Sequence, residues 1–475
     1  MDLQTRVTFN IKRRASLLPN EVAQWLEKAN TNVAGLGIHQ SQFKALTLMM
    51  EELLKRQNEK LALLSPAQPI QAFSQAHRDV VAEILGTNGL WSLFRMIIDQ
   101  QVSSNFSELL RAADFIASDC YLTCMNRAVE WKLIAEKEHR APPLVFLHAS
   151  ESPVAANRGR KISALDAEIA LGDQVLPIPV IRVPFDHITC YWLLCSIHHE
   201  VGHNVNEELM LVEEIKDRLG KELANKGTPA DRVLTWKRWA GEILADTFGV
   251  LLGGAGFAYT MGLLLLPRSP LSMIFKSGEV HPDSFVRINL LASMLRKCDV
   301  PLFTEAADFI MKTWYTPPVI TSLIESIKPF VEECDTVADF FLNTQLQALT
   351  KDGTAHSLRD FVPDLAGDAR KAADLAFFLR TGQNMANIQP GDFPDRLVPV
   401  AAQIAYVKLD PAKVDAPDKL HNDALQFQKL IPHPEFAGPE TENKDYVGKL
   451  ARKLDFSALV AEEGEDVGEE EESNQ

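Results

Sequence analysis

Apolar positions recur at helical spacing through most of the chain. Val22, Trp25 and Leu26 follow Asn20, a residue type that caps helices, and predict a helix starting there. After Ser41, the residues Phe43, Leu46, Met50, Leu53 and Leu54 share one face, while Glu51, Lys55 and Arg56 take another. That pattern predicts a longer amphipathic helix, closed by Ser65, Pro66 and Pro69. Trp91–Gln101 and Ser107–Tyr121 carry two more helical patterns. The period changes after Ala141-Pro142-Pro143, where Leu144–Leu147 forms a short apolar run with strand character. Residues 151–175 are rich in turn formers, and Leu176–Val183 is a second strand candidate. Pro177 and Pro179 lack a donor N–H, which places that strand at a sheet edge or limits it to pairing on one side. From Trp192 the spacing is helical again. Beyond Asp299 almost wholly helical structure is expected, with Pro301, Pro317-Pro318, Pro329, Pro363 and Pro390 separating the segments.

These patterns predict an α+β protein, predominantly helical, with a small sheet and no internal repeat. The regions expected are an N-terminal helical region (1–100), a core (101–298), a C-terminal helical region (299–458) and an acidic disordered tail (459–475). One run tests the distinction between core and membrane. Phe248–Leu266 holds no charged residue, and about eighteen such residues can span a bilayer. Its glycines, and Asp246 just before it, favour a buried core helix broken near Gly253-Gly254.

The net charge is −16, of which Glu462–Gln475 supplies eight acids and no base, leaving −8 for the rest. A mildly acidic body with no basic stripe argues against nucleic acid as a partner. Arg6, Lys12, Arg13 and Arg14 lead into no apolar run, so no signal peptide is expected. The six cysteines form no dense framework and are expected as packed, reduced thiols. A cytoplasmic protein with no membrane partner is the resulting expectation.

Chemistry enters at His199-Glu200-Val201-Gly202-His203, an H-E-x-x-H pattern. On a helix, residues four apart share a face, so two imidazoles can meet one ion while Glu200 reaches a metal-bound water. A catalytic zinc takes three protein ligands and keeps one position open. Glu242, in an apolar E-x-x-x-D segment, can supply the third ligand, and Asp246 can accept a hydrogen bond from a ligand imidazole. Further on, His281-Pro282 and Arg287 offer side chains that can stabilise an oxyanion in the cleft. His198 cannot replace His199 in the same register, because position 202 is Gly. Cys195, His187 and Tyr191 precede the motif, while Asp119 and Arg158-Gly159-Arg160 are charges without a visible partner.

In their order, His199, Glu200, Gly202 and His203, then Glu242, Ala245 and Asp246, then His281, Pro282, Arg287 and Ile288 resemble a gluzincin family. That family comprises the CAAX prenyl proteases and the bacterial heat-shock membrane proteases. The resemblance covers Ile197–Leu295. It implies a zincin-like core and a zinc endopeptidase acting on a peptide or protein substrate, with Leu176–Val183 where a substrate-binding strand would lie. The flanking helical regions match nothing in that family, whose members are mostly membrane proteins. A helical scaffold with a structural or inactive zinc site is the alternative. Retention of Glu200 favours the enzyme, since a structural site needs no base.

Overall fold

In the computed structural model, Ile11, Ala15, Leu18, Val22 and Trp25 are all buried along one face of a single helix, α1 (Leu3–Thr31). The stripe runs straight past Pro19, so burial outweighs the hydrogen bond a proline forfeits. The helix start expected at Asn20 is therefore absent. The structure describes all residues except 1, 32–38, 103–105, 136–140, 150–151, 157–175, 177, 267–277, 315–323, 383–387, 411, 413–414, 434–450, 453 and 461–475. The acidic tail and Arg158-Gly159-Arg160 lie outside the described residues. Among the described residues the protein is predominantly helical (75%) with small sheets, as the apolar spacing predicts.

The chain divides into two compact units. The first combines Met1–Ser107, Ala156–Val180 and Pro434–Gln475. Here α1 joins α2 (Gln40–Leu63), which ends just before Ser65 as predicted, and α3 (Ile70–Val102). Helix α3 begins well before Trp91, because Phe73, Val80 and Ile84 extend its buried face. Phe456, from the far end of the chain, packs where a side chain on Gly86 would stand. Arg56 donates to the carbonyls of Ala451 (2.7 Å) and Leu454 (2.9 Å) and is itself held by the buried Glu83.

The second unit combines Glu108–Ala155 with Ile181–His433. Its elements begin with α4 (Ser107–Glu130), β1 (Leu144–His148), β2 (Val154–Ala156) and β3 (Val180–Pro184). Next come α5 (Ile197–Leu209), α6 (Val212–Asn225), α7 (Ala230–Leu264), α8 (Ser284–Lys297) and α9 (Pro301–Trp314). The unit continues with α10 (Ile324–Asn343), β4 (Leu346–Lys351), β5 (Thr354–His356), α11 (Leu365–Thr381), α12 (Leu397–Val407) and α13 (Ala416–Lys429). Of the C-terminal helical region expected over 299–458, residues 299–433 fall in the same unit as residues 181–298.

The sheet order is β1-β3-β2, so β3 is central and the edge position expected for it is wrong. The strand starts only at Val180, after Pro179, and its other proline, Pro184, is its last residue. Prolines at the ends leave the interior donors intact. Among the described residues beyond Asp299, the almost wholly helical pattern is interrupted by the antiparallel β4–β5 hairpin. Asp352 and Gly353 turn it with φ of 51° and 80°, a left-handed pair that Asp-Gly adopts readily. Pro301 opens α9 just after α8 ends at Lys297 and so marks a boundary as expected, whereas Pro329 lies inside α10 and separates nothing. A proline in the first turn lacks only a donor that has no partner there. Pro329 is carried by the buried face of Ile327, Phe330, Cys334 and Val337.

Helix α7 is long and apolar enough to cross a membrane by length and composition, yet 83% of that apolar window is buried inside the protein. It breaks at Gly254 (φ 49°, ψ −128°), within the Gly253-Gly254 pair where a break is predicted. A Cβ on Gly254 would lie 2.3 Å from the Phe303 ring. Gly254→Ala is therefore expected to destabilise the protein by about 3 kcal/mol or more, from backbone strain and overpacking together. Chemical denaturation checks this, and a variant within about 0.5 kcal/mol of the parent would show that the kink relaxes freely.

Candidate metal centre

The site is built where α5 crosses α7. A Cβ on Gly202 would stand 2.9 Å from Ala245 Cα and 3.0 Å from Ala245 O, so the two backbones touch at this pair. The Gly of H-E-x-G-H and the Ala of E-x-x-A-D thus have one shared purpose, close approach of the helices. One residue on from Gly202 is His203, and three before Ala245 is Glu242. The approach sets His199 Nε2 3.2 Å from His203 Nε2 and 3.4 Å from Glu242 Oε2, with His203 Nε2 3.6 Å from Glu242 Oε1. One ligand atom from each of the three residues lies within 4.8 Å of the others. Gly202→Ala is expected to push the helices apart, destabilising by about 1–3 kcal/mol and weakening metal retention. Thermal melting and elemental analysis check this, and unchanged values would show slack in the crossing.

Behind His199 stands Asp246, fully buried, with Oδ1 2.8 Å from His199 Nδ1. Arg287, from α8, meets the same carboxylate through Nε to Oδ2 (2.6 Å) and Nη2 to Oδ1 (2.7 Å). Burial alone would raise Asp246, but Arg287 and His199 outweigh it and hold the carboxyl below its usual range. Burial likewise opposes ionisation of Glu242, and His199 outweighs it, so this carboxylate is also held low. His199 is raised to about 10 against its own burial, by the hydrogen bonds to Asp246 and Glu242. Burial, followed by the charge of His199, pushes His203 down to about 4.

Glu200 is buried, and burial raises its pKa. The main-chain N–H of Ala155, in the edge strand β2, donates to its Oε2 at 2.6 Å. His281 stands at the rim, 59% exposed, with Nε2 3.4 Å from Glu242 Oε1. The segment leading to it is tied to α7, since Trp239 Nε1–H donates to Glu279 O (3.2 Å). The structure therefore gathers His199, Glu200, His203, Glu242, Asp246, His281 and Arg287 in one place.

Other candidates lie elsewhere. His198 points away, its Nδ1 2.8 Å from Cys195 O and its Nε2 3.0 Å from Arg396 O, and burial lowers its pKa to about 4. Cys195 is a buried free thiol outside the ligand group. His187 and Tyr191 are also buried outside it, and the Tyr191 N–H donates to His421 Nδ1 (3.2 Å). Asp119 does have a partner: Arg396 donates to it through its main-chain N–H (2.9 Å) and its guanidinium (3.2 Å). Ala155 was not expected at the site, and no signal could have marked it, because it contributes only a backbone donor that every non-proline residue carries.

Compared with protein-family models, with curated proteins and with solved structures, the chain has no match.

Proposed function

We propose that the protein is a zinc-dependent endopeptidase of the gluzincin type, with a zincin-like core in its second unit. One observation carries this reading: His199, His203 and Glu242 converge on a single point, with Glu200 beside them and Asp246 behind. Among the described residues the group offers three ligands rather than four, which leaves a position open and suits a catalytic zinc over a closed structural one. Charge agrees. With His199 and His203 neutral, as ligation requires, the carboxylates of Glu200, Glu242 and Asp246 with the guanidinium of Arg287 sum to −2, which a divalent cation neutralises.

His199, His203 and Glu242 would hold the ion, which when bound polarises a carbonyl and acidifies water. The protein's own groups do the rest. Glu200 takes the proton of the attacking water and passes it to the leaving amine, a role suited by its raised pKa. Asp246 keeps the Nδ1–H tautomer of His199 so that Nε2 stays free as a ligand. His281, exposed at the rim, is placed to donate to a substrate oxygen as negative charge develops on it. The resemblance to the CAAX prenyl protease group supports the same assignment. Burial of α7 supports a core helix over an anchor, and the proposed substrate is a peptide or protein met in the cytoplasm.

The test is cleavage of a broad peptide library by the zinc-loaded protein, paired with its Glu200→Gln variant. Cleavage by the parent alone supports the peptidase. An identical cleavage pattern from both would favour the alternative, a helical scaffold with an inactive zinc site.

A further inference from the structure

Arg287 supports an inference that rests on the metal reading above. Its side chain is 7% exposed, and two of its nitrogens grip both oxygens of Asp246, at 2.6 and 2.7 Å. A two-point fork fixes the plane of a carboxylate, which a single point charge does not. With that plane fixed, Oδ1 faces His199 Nδ1 at 2.8 Å, and Nε2 is left toward His203 and Glu242. Arg287 Nη2 also lies 3.3 Å from His199 Nδ1 and 3.9 Å from Glu242 Oε2, so the one guanidinium borders two ligands. Its own place is secured: Asp283 accepts from the Phe285 N–H (2.9 Å), capping α8 one turn before Arg287. The role expected for it from the chain alone, an oxyanion donor, requires donors that face the substrate. The forked nitrogens face Asp246 instead.

We infer that Arg287 is a positioning residue of the metal centre, acting through Asp246 on His199, and not a group that meets substrate. Two features follow from the geometry. Removing the fork loosens the His199 imidazole even when the charge is kept. Removing the fork matters only while Asp246 is there to be oriented.

The experiment is a double-variant cycle on the full chain, read as zinc affinity by chelator competition and as the visible spectrum of the cobalt-loaded protein. Arg287→Met and Asp246→Asn are each expected to weaken zinc binding about ten- to a hundred-fold. The double variant should bind no more weakly than Asp246→Asn alone. Arg287→Lys keeps the charge without the fork, so it should show an intermediate loss and an altered cobalt spectrum. Arg287→Met leaves Asp246 buried without its counter-charge and can fail to fold. In that case the cycle is run with Arg287→Lys. Multiplicative losses in the double variant, or Arg287→Lys with the parent's affinity and cobalt spectrum, would overturn the inference while leaving the metal site standing. A parent protein that binds neither zinc nor cobalt would overturn both.

Discussion

Glu200→Gln is expected to lower peptide cleavage by about two to four orders of magnitude while the protein stays folded and metal-loaded. Glu200 lies outside the His199, His203 and Glu242 ligand group, so zinc content should not change. Burial already disfavours its charged form, and a neutral amide of the same shape suits that environment. Gln retains a carbonyl oxygen to accept the Ala155 N–H, so the local geometry is kept. What the variant lacks is the ability to take a proton from water. Single-turnover cleavage together with elemental analysis separates these points. A dead variant with full zinc supports the general base, whereas equal cleavage by parent and variant ends the peptidase reading.

His203→Ala is expected to remove nearly all the zinc, from about one ion per chain in the parent. The remaining His199 and Glu242 offer two ligands where a catalytic zinc needs three. His203 sits on the α5 turn beside Gly202, where α5 touches α7, so no neighbouring turn can bring a replacement. His198 is turned away onto the carbonyls of Cys195 and Arg396, and Cys195 is buried outside the group. Because a ligand that binds only the folded state stabilises it by mass action, added zinc should raise the parent's melting temperature. The variant should show no such rise. Unchanged metal content, or an equal shift with zinc in both proteins, would mean the ion binds elsewhere.

The candidate ligands were legible because their spacing is local. Four residues on a helix return to the same face, so His199 with His203, and Glu242 with Asp246, declare themselves without reference to the fold. The apolar run at Phe248–Leu266 and its break at Gly254 were legible for the same reason: length, hydropathy and glycine are properties of a short stretch. The Asp352-Gly353 turn is equally local, since an Asp-Gly pair marks a hairpin in the chain itself. At Pro329 the boundary expected from proline, and near Pro19 the helix start expected at Asn20, give way to burial of the stripe on either side.

Tertiary structure alone decided which strand lies at the edge, that Ala155 turns its N–H onto Glu200, and that Arg287 grips Asp246 rather than facing the cleft. Each of these joins residues separated by tens of positions through a backbone donor or a long side chain, and neither carries a periodic mark in the chain. Spacing along one helix determines which side chains can share a face. Only the crossing of α5 over α7, set by the contact of Gly202 with Ala245, decides which faces meet.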